Sequence, residues 1–290
     1  MSTQAPTHSD TPPLSLVDTH QHLWDLSRFK YTWCAEIPVL HKSFLLRDYL
    51  DASKNATVVK TVFMECDVDE PFMRDEIKWI LSQADGKPLS GLIIAGRPES
   101  KDFPKYIEEF AGDKRIKGVR RVLHVAPDET SQTPLFAENV RQLKQYGLTY
   151  DICMQACQLP LAIGLIKKCP EVQFILDHCG GPDVKSQALD PWRAHIKQIA
   201  AFPNVVCKVS GIIASADPKN WRTDDLRPFV EHVLECFGWD RVVWGSDWPV
   251  CTLTATYQQW VDAALAITKN AKPADREKLF AKNAERVYRV

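Results

Sequence analysis

The chain has 290 residues, 45% of them hydrophobic, with 36 basic and 37 acidic side chains and a formal net charge of −1. Without a run of Lys or Arg, this balance excludes the electrostatic footprint of a nucleic-acid or membrane-surface binder and points to a small-molecule partner. The nine cysteines are odd in number and never spaced CxxC, which argues against a disulfide framework or zinc ribbon and for a reducing, cytoplasmic compartment.

Residues 1–13 are polar, rich in Thr, Ser and Pro, and lack an apolar h-region, so they read as a flexible tail rather than a signal peptide. No apolar stretch reaches the roughly 18 residues needed to cross a bilayer. The first strand candidate is LSLVDTH (14–20). A long connection from Leu23 to Ala56 follows and contains a short helix, LLRDYLDA. Next come the strand candidates TVVKTVFMEC (57–66), LSGLIIAG (89–96), IKGVRRVL (116–123) and LTYDICM (148–154). VQFILDH (172–178), NVVCKVS (204–210) and RVVWGSD (241–247) complete a set of eight. Helical periodicity fills the gaps over 72–85, 103–113, 136–147, 160–169, 191–202 and 226–238. Gly147 and Gly238 stand where C-cap glycines belong. PADREKLFAKNAERVYRV ends the chain as an amphipathic closing helix.

Strands alternating with helices imply βαβ units and a parallel sheet. Eight such units in about 270 residues fit a closed (β/α)8 TIM barrel over 14–290 better than an open doubly wound sheet. The Gly-rich phosphate fingerprint of a dinucleotide fold is absent after the first strand. The Leu23–Ala56 connection and its helix are expected over the barrel mouth.

Barrel enzymes gather their chemistry at the C-terminal ends of the strands. The first strand ends VDTHQH, and His20 and His22, two apart, point to one side of an extended chain. The sixth ends FILDHCGGP, placing His178 where strand opens into loop, with Asp177 expected to face the other way. The eighth ends RVVWGSDWPV and carries Asp247. Burying a carboxylate without a partner costs several kcal/mol, so a histidine or a metal is expected beside it. Singly, these are also what loop histidines and a turn Asp would give. On one barrel, they meet at one end.

VDTHQHLWD, the GVR of the fourth strand, DHCGGP, KVSG, GSDWPV and NAERVY resemble the amidohydrolase superfamily. With Tyr31-x-Trp33 and LLRDYL (45–50), they are similar to its amidohydrolase-related lactonase branch, which includes sugar-lactone and pyrone-dicarboxylate lactonases. The resemblance runs over roughly 14–290. It implies that Asp247 is the general base that deprotonates water. It also implies that His20, His22 and His178 polarise the attacked carbonyl or hold a metal that does so. Arg120 would bind a carboxylate or oxygen of the substrate, with Arg121 turned away.

Binuclear members carry Lys or Glu at the end of the fourth strand and His on the fifth, and mononuclear decarboxylase relatives also use the fifth-strand His. IKGVRRV and LTYDICMQ lack both. His20, His22 and Asp247 alone would bind zinc weakly, so no obligatory metal is expected, with one loosely held zinc on those three as the alternative. Further substrate-binding candidates are Tyr150 and Cys153, Lys208 and Ser210, Glu65, and a rim of Trp24, Trp33, Trp221 and Trp248. The leading expectation is a hydrolase that opens a small lactone, either a sugar lactone or a carboxylated one. A zinc-dependent decarboxylase or amide hydrolase and a non-catalytic small-molecule binding protein are the alternatives. A homo-oligomer is left open.

Overall fold

The computed structural model describes residues 14–84 and 88–290, so the tail expected at 1–13 lies outside the described residues. Eight strands pair in parallel and in chain order. They are β1 (Leu16–Gln21), β2 (Val58–Met64), β3 (Leu89–Ala95), β4 (Ile116–Val122), β5 (Thr149–Cys153), β6 (Phe174–Leu176), β7 (Val205–Val209) and β8 (Val242–Trp244). The seam between β1 and β8 is bridged by backbone hydrogen bonds, Asp247 N–H to His20 O at 2.7 Å and His22 N–H to Trp248 O at 2.8 Å. This is a (β/α)8 barrel.

The outer layer is built by α1 (Leu46–Ser53), α2 (Met73–Leu81), α3 (Phe103–Phe110), α4 (Pro134–Gln142), α5 (Leu159–Lys168), α6 (Trp192–Ala200), α7 (Thr223–Phe237) and α8 (Tyr257–Ile267). The closing segment is not one helix. It is α9 (Pro273–Glu277), a π-helical turn (Lys278–Lys282) and α10 (Asn283–Tyr288). No helix among the described residues is long and apolar enough to cross a membrane.

Strands covered on both faces read as continuous apolar runs, and alternate residues serve two cores. Val17, Val62, Met64, Ile93, Ile175, Val206 and Val243 fill the barrel, and Ala284, Val287 and Tyr288 of α10 close its lower end. The complementary faces pack against the helices.

Two expectations change. The sixth and eighth strands end earlier than their apolar runs suggest, because His178 (φ 54°), Cys179 (φ 54°) and Asp247 (φ 58°) adopt left-handed backbone and leave the sheet. α1 does not lie over the mouth. It packs against α8 in the outer layer, where Tyr49 meets Trp248 and Tyr257 and its hydroxyl donates to Asp18 Oδ2 at 3.0 Å. Burial of this aromatic face draws the helix down. From the same connection, Trp33 and Ile37 reach the mouth instead.

Candidate active site

His20 reaches the barrel interior because β1 breaks its own alternation. Val17 points inward, and the pairing with β2 shifts register between Asp18 and Gln21, so His20 three residues later also points inward. His22 follows two residues on, and the two imidazole centroids lie 4.9 Å apart. His178 arrives from the turn after β6, its ring 4.5 Å from that of His20. Asp247 arrives from the turn after β8. Its Oδ1 lies 3.3 Å from His22 Nε2 and 3.5 Å from His20 Nε2.

The neighbours of the His20 and His22 rings constrain their hydrogens. His22 Nδ1 lies 2.9 Å from the Met64 carbonyl oxygen. A carbonyl only accepts, so Nδ1 carries a hydrogen, and Nε2 faces Asp247. His20 Nε2 lies 3.3 Å from Arg120 Nη1, a group that only donates. His178 Nδ1 lies 2.9 Å from Ser210 Oγ. Burial, with the Lys208 ammonium adding to it, pushes the His20 pKa well below its ordinary value. Burial also lowers that of His178. Both rings are neutral near pH 7.

The four predicted residues therefore come together, and His22, His178 and Asp247 line a cavity of about 880 Å³ at the mouth. This falls within the range of small-molecule sites. Arg120 lines it too, with three of its five donors engaged: Nε donates to Glu65 Oε1 and Nη2 to Glu65 O, each at 2.6 Å, and Nη1 to His20 Nε2 at 3.3 Å. Arg121 faces outward to Glu99, as expected. Cys153 and Trp33 line the cavity, while Ser210 stands behind His178.

The other substrate-binding candidates lie elsewhere. Strand alternation sets Asp151 and Cys153 inward, so Tyr150 faces the helices and is buried between Phe136 and Phe174. Trp24 is buried against Phe44 and Trp33 and donates to Lys42 O at 2.6 Å. Trp248 packs on Phe44 and Tyr49, and Trp221 packs on the outer core. Lys208 points inward but below the histidines, 2.8 Å from both Asp151 and Asp177, out of reach of the cavity.

Asp177 faces inward beside His20, 3.5 Å from its Nδ1, contrary to the expected outward direction. Asp177 continues the alternation of β6, in which Ile175 points inward, and it is His178, with its left-handed backbone, that departs from it. His124 lines the cavity 3.3 Å from Cys153 Sγ and was missed because it falls just beyond the β4 run. It follows Arg120 by four, a same-face spacing that would have flagged it. Cys66, which also lines the cavity, carried no sequence signal.

His20, His22 and Asp247 present donor atoms close enough for one cation, and His20, Asp177 and His178 form a second such group. The first set suits a single zinc in type and number, two imidazoles and one carboxylate with room for water. The gap between His22 Nε2 and the Asp247 carboxylate suits a positive charge. Against this, the lone pair of His20 Nε2 already accepts from Arg120, so a metal would compete with a guanidinium.

A family model described as amidohydrolase matches residues 17–290. An L-fucono-1,5-lactonase of Burkholderia multivorans is 29% identical over 292 residues, covering 94% of this chain and 95% of that protein. A 2-pyrone-4,6-dicarboxylate hydrolase of Comamonas testosteroni is 25% identical over 252 residues, covering 82% and 77%. The crystal structure of a Burkholderia multivorans amidohydrolase with bound zinc superimposes with a TM-score of 0.86 at 27% identity, over 95% of this chain and 99% of that one.

Proposed function

Because the chain belongs to the amidohydrolase family, we propose that it is a hydrolase that opens a small lactone with water activated by Asp247. The observation that carries this is the Asp247 carboxylate at the cavity wall, with Oδ1 within 3.5 Å of two imidazole nitrogens. The names of the similar lactonases support the bond type.

Asp247 takes a proton from a water that attacks the lactone carbonyl carbon. In this reading the Ser210 hydroxyl would donate to His178 Nδ1, so that Nε2–H meets the carbonyl oxygen as it gains charge. The ring C–O bond breaks. The proton held by Asp247 passes to the leaving alkoxide, and the product is a hydroxy acid. Trp33, Ile37 and Met154 give the cavity an apolar side that limits water. Since Glu65 neutralises the Arg120 guanidinium, a neutral sugar lactone suits the cavity better than a dicarboxylate.

A lactone is activated enough to open without an obligatory metal. A second reading is favoured by the converging donor set: His20, His22 and Asp247 would hold one zinc. When bound, zinc supplies Lewis-acid polarisation and a more acidic water. The nine unpaired cysteines fit a reducing, cytoplasmic setting. A kinetic screen of sugar lactones and pyrone lactones tests the proposal. Turnover of a sugar lactone is expected, and a folded protein that opens none of them would refute it.

A further inference from the structure

Beneath the mouth histidines lies a second layer of buried charge that the proposed hydrolysis does not use. Lys208 of β7 is fully buried, with Nζ 2.8 Å from Asp151 Oδ2 of β5 and 2.8 Å from Asp177 Oδ1. From below, Tyr288 Oη of α10 donates to the same Asp151 Oδ2 at 3.1 Å. From above, His20 Nδ1 lies 3.5 Å from Asp177 Oδ1 and 3.3 Å from Lys208 Nζ. Asp177 Oδ2 lies 3.5 Å from Arg120 Nη1. The closing helix is thus joined to the mouth by one continuous buried chain. Burial opposes every charge in it. Even so, Lys208 and His20 hold the Asp177 carboxyl well below the usual range, and Asp151 and Asp177 keep Lys208 charged.

The chain decides which His20 nitrogen carries the hydrogen. If Lys208 donated to Nδ1, the hydrogen would sit on Nε2 and oppose the N–H of Arg120 at 3.3 Å. The guanidinium is planar and pinned by Glu65, so it cannot turn away. The Lys208 ammonium can rotate: one of its hydrogens is met by Asp151, and the Asp177 carboxylate 2.8 Å away attracts the others. With the hydrogen on Nδ1, the Asp177 carboxylate 3.5 Å away is the acceptor beside it, Arg120 donates to Nε2, and the rotatable ammonium turns its hydrogens to the carboxylates.

We infer that Asp177 is a positioning residue that accepts the Nδ1 hydrogen of His20 and fixes its Nε2 lone pair toward the mouth, and that Tyr288, Asp151 and Lys208 hold Asp177 there. The kinetic consequence rests on the hydrolytic reading of the site, but the tautomer does not. In Asp177→Asn, the amide can donate to Nδ1, and the ring is expected to move its hydrogen to Nε2. The corresponding Asp-to-Asn change in a serine-protease triad gives a wrong tautomer and a loss of about 10⁴-fold in kcat.

The test is long-range proton–nitrogen correlation NMR on the full chain labelled with 15N-histidine near neutral pH. His20 is assigned by the signals lost in His20→Gln. The wild type is expected to show His20 protonated at Nδ1 and bare at Nε2. Asp177→Asn is expected to show the reverse, with kcat down at least tenfold and KM changed less. Tyr288→Phe, which removes one hydroxyl and keeps the ring, is expected to give a mixture of the two tautomers. A wild-type His20 protonated at Nε2 overturns the inference whether or not Asp177→Asn folds. Retention of Nδ1–H in folded Asp177→Asn overturns the role of Asp177, and an unchanged His20 spectrum in Tyr288→Phe overturns the chain below it. Failure of every lactone to react would remove the hydrolytic reading and leave the tautomer result standing.

Discussion

His22 Nε2 lies 3.3 Å from Asp247 Oδ1 across the seam where β1 meets the end of β8. The same segments are joined through the backbone, with Asp247 N–H donating to His20 O at 2.7 Å. Closure of the barrel and assembly of the site therefore use the same residues. A proton, a water hydrogen or a metal between the carboxylate and the imidazole nitrogen would satisfy both, and that space opens on the cavity.

Zinc content tests which of these fills it. Because Arg120 competes for His20 Nε2, protein purified without chelator is expected to carry well under one zinc per chain, and its lactonase rate should survive dialysis against EDTA. Stoichiometric zinc, with activity lost on dialysis and restored by zinc, would instead establish the metal-dependent reading.

Arg120 has a structural role as well as a place in the cavity. Arg120→Met strands Glu65 as an unpaired buried charge, which typically costs about 3–5 kcal/mol. Arg121→Met, on the outer face of the same strand, should cost markedly less. Urea unfolding of both variants measures the difference, and equal losses would contradict it.

Tyr150 is expected to play no part in substrate binding. Its hydroxyl is buried without a hydrogen-bond partner. Tyr150→Phe should therefore leave kcat/KM unchanged and raise stability by about 1 kcal/mol, the size of one relieved polar burial. A fall in kcat/KM with intact folding would return Tyr150 to the site.

Much of this was legible in the chain. Eight apolar runs alternating with helical patterns gave the barrel, and His20, His22, His178 and Asp247 stood at strand ends because β-strand periodicity and turn residues mark those ends. What was not legible depended on departures from regular geometry. The left-handed turn at His178 and Cys179 brings His178 to the mouth on the same side as Asp177, and no strand pattern announces that turn. Tyr150 and Cys153 could not both line the site, since residues three apart on a strand face opposite ways. Trp24 and Trp248 looked like rim residues because an aromatic after a strand end serves a rim or a core equally well. The place of α1 was decided by Tyr49 reaching Asp18, a long-range contact.

Glu76 gives a pH signature. It is fully buried on α2, with Tyr31 Oη donating to Oε1 at 3.0 Å and Oε2 unpartnered. Burial, with Glu65 nearby adding to it, pushes its pKa well above the ordinary carboxylate value. A raised folded pKa means that the native state holds the proton more tightly, so its stabilisation is complete below about pH 4.3 and is lost as pH rises through the folded pKa. Glu76→Gln keeps the acceptor for Tyr31 without titrating. Urea midpoints at acidic and alkaline pH should show the variant gaining on the wild type as pH rises. A constant gap would contradict a buried, protonated Glu76.

The hydrolytic role of Asp247 is tested most directly by comparing wild type and Asp247→Asn on a sugar lactone that the wild type opens, with thermal unfolding measured on both. The expected result is an unchanged fold and a kcat lowered by about 100- to 10,000-fold, the usual contribution of a positioned general base. A folded Asp247→Asn protein turning over at a near wild-type rate would contradict it.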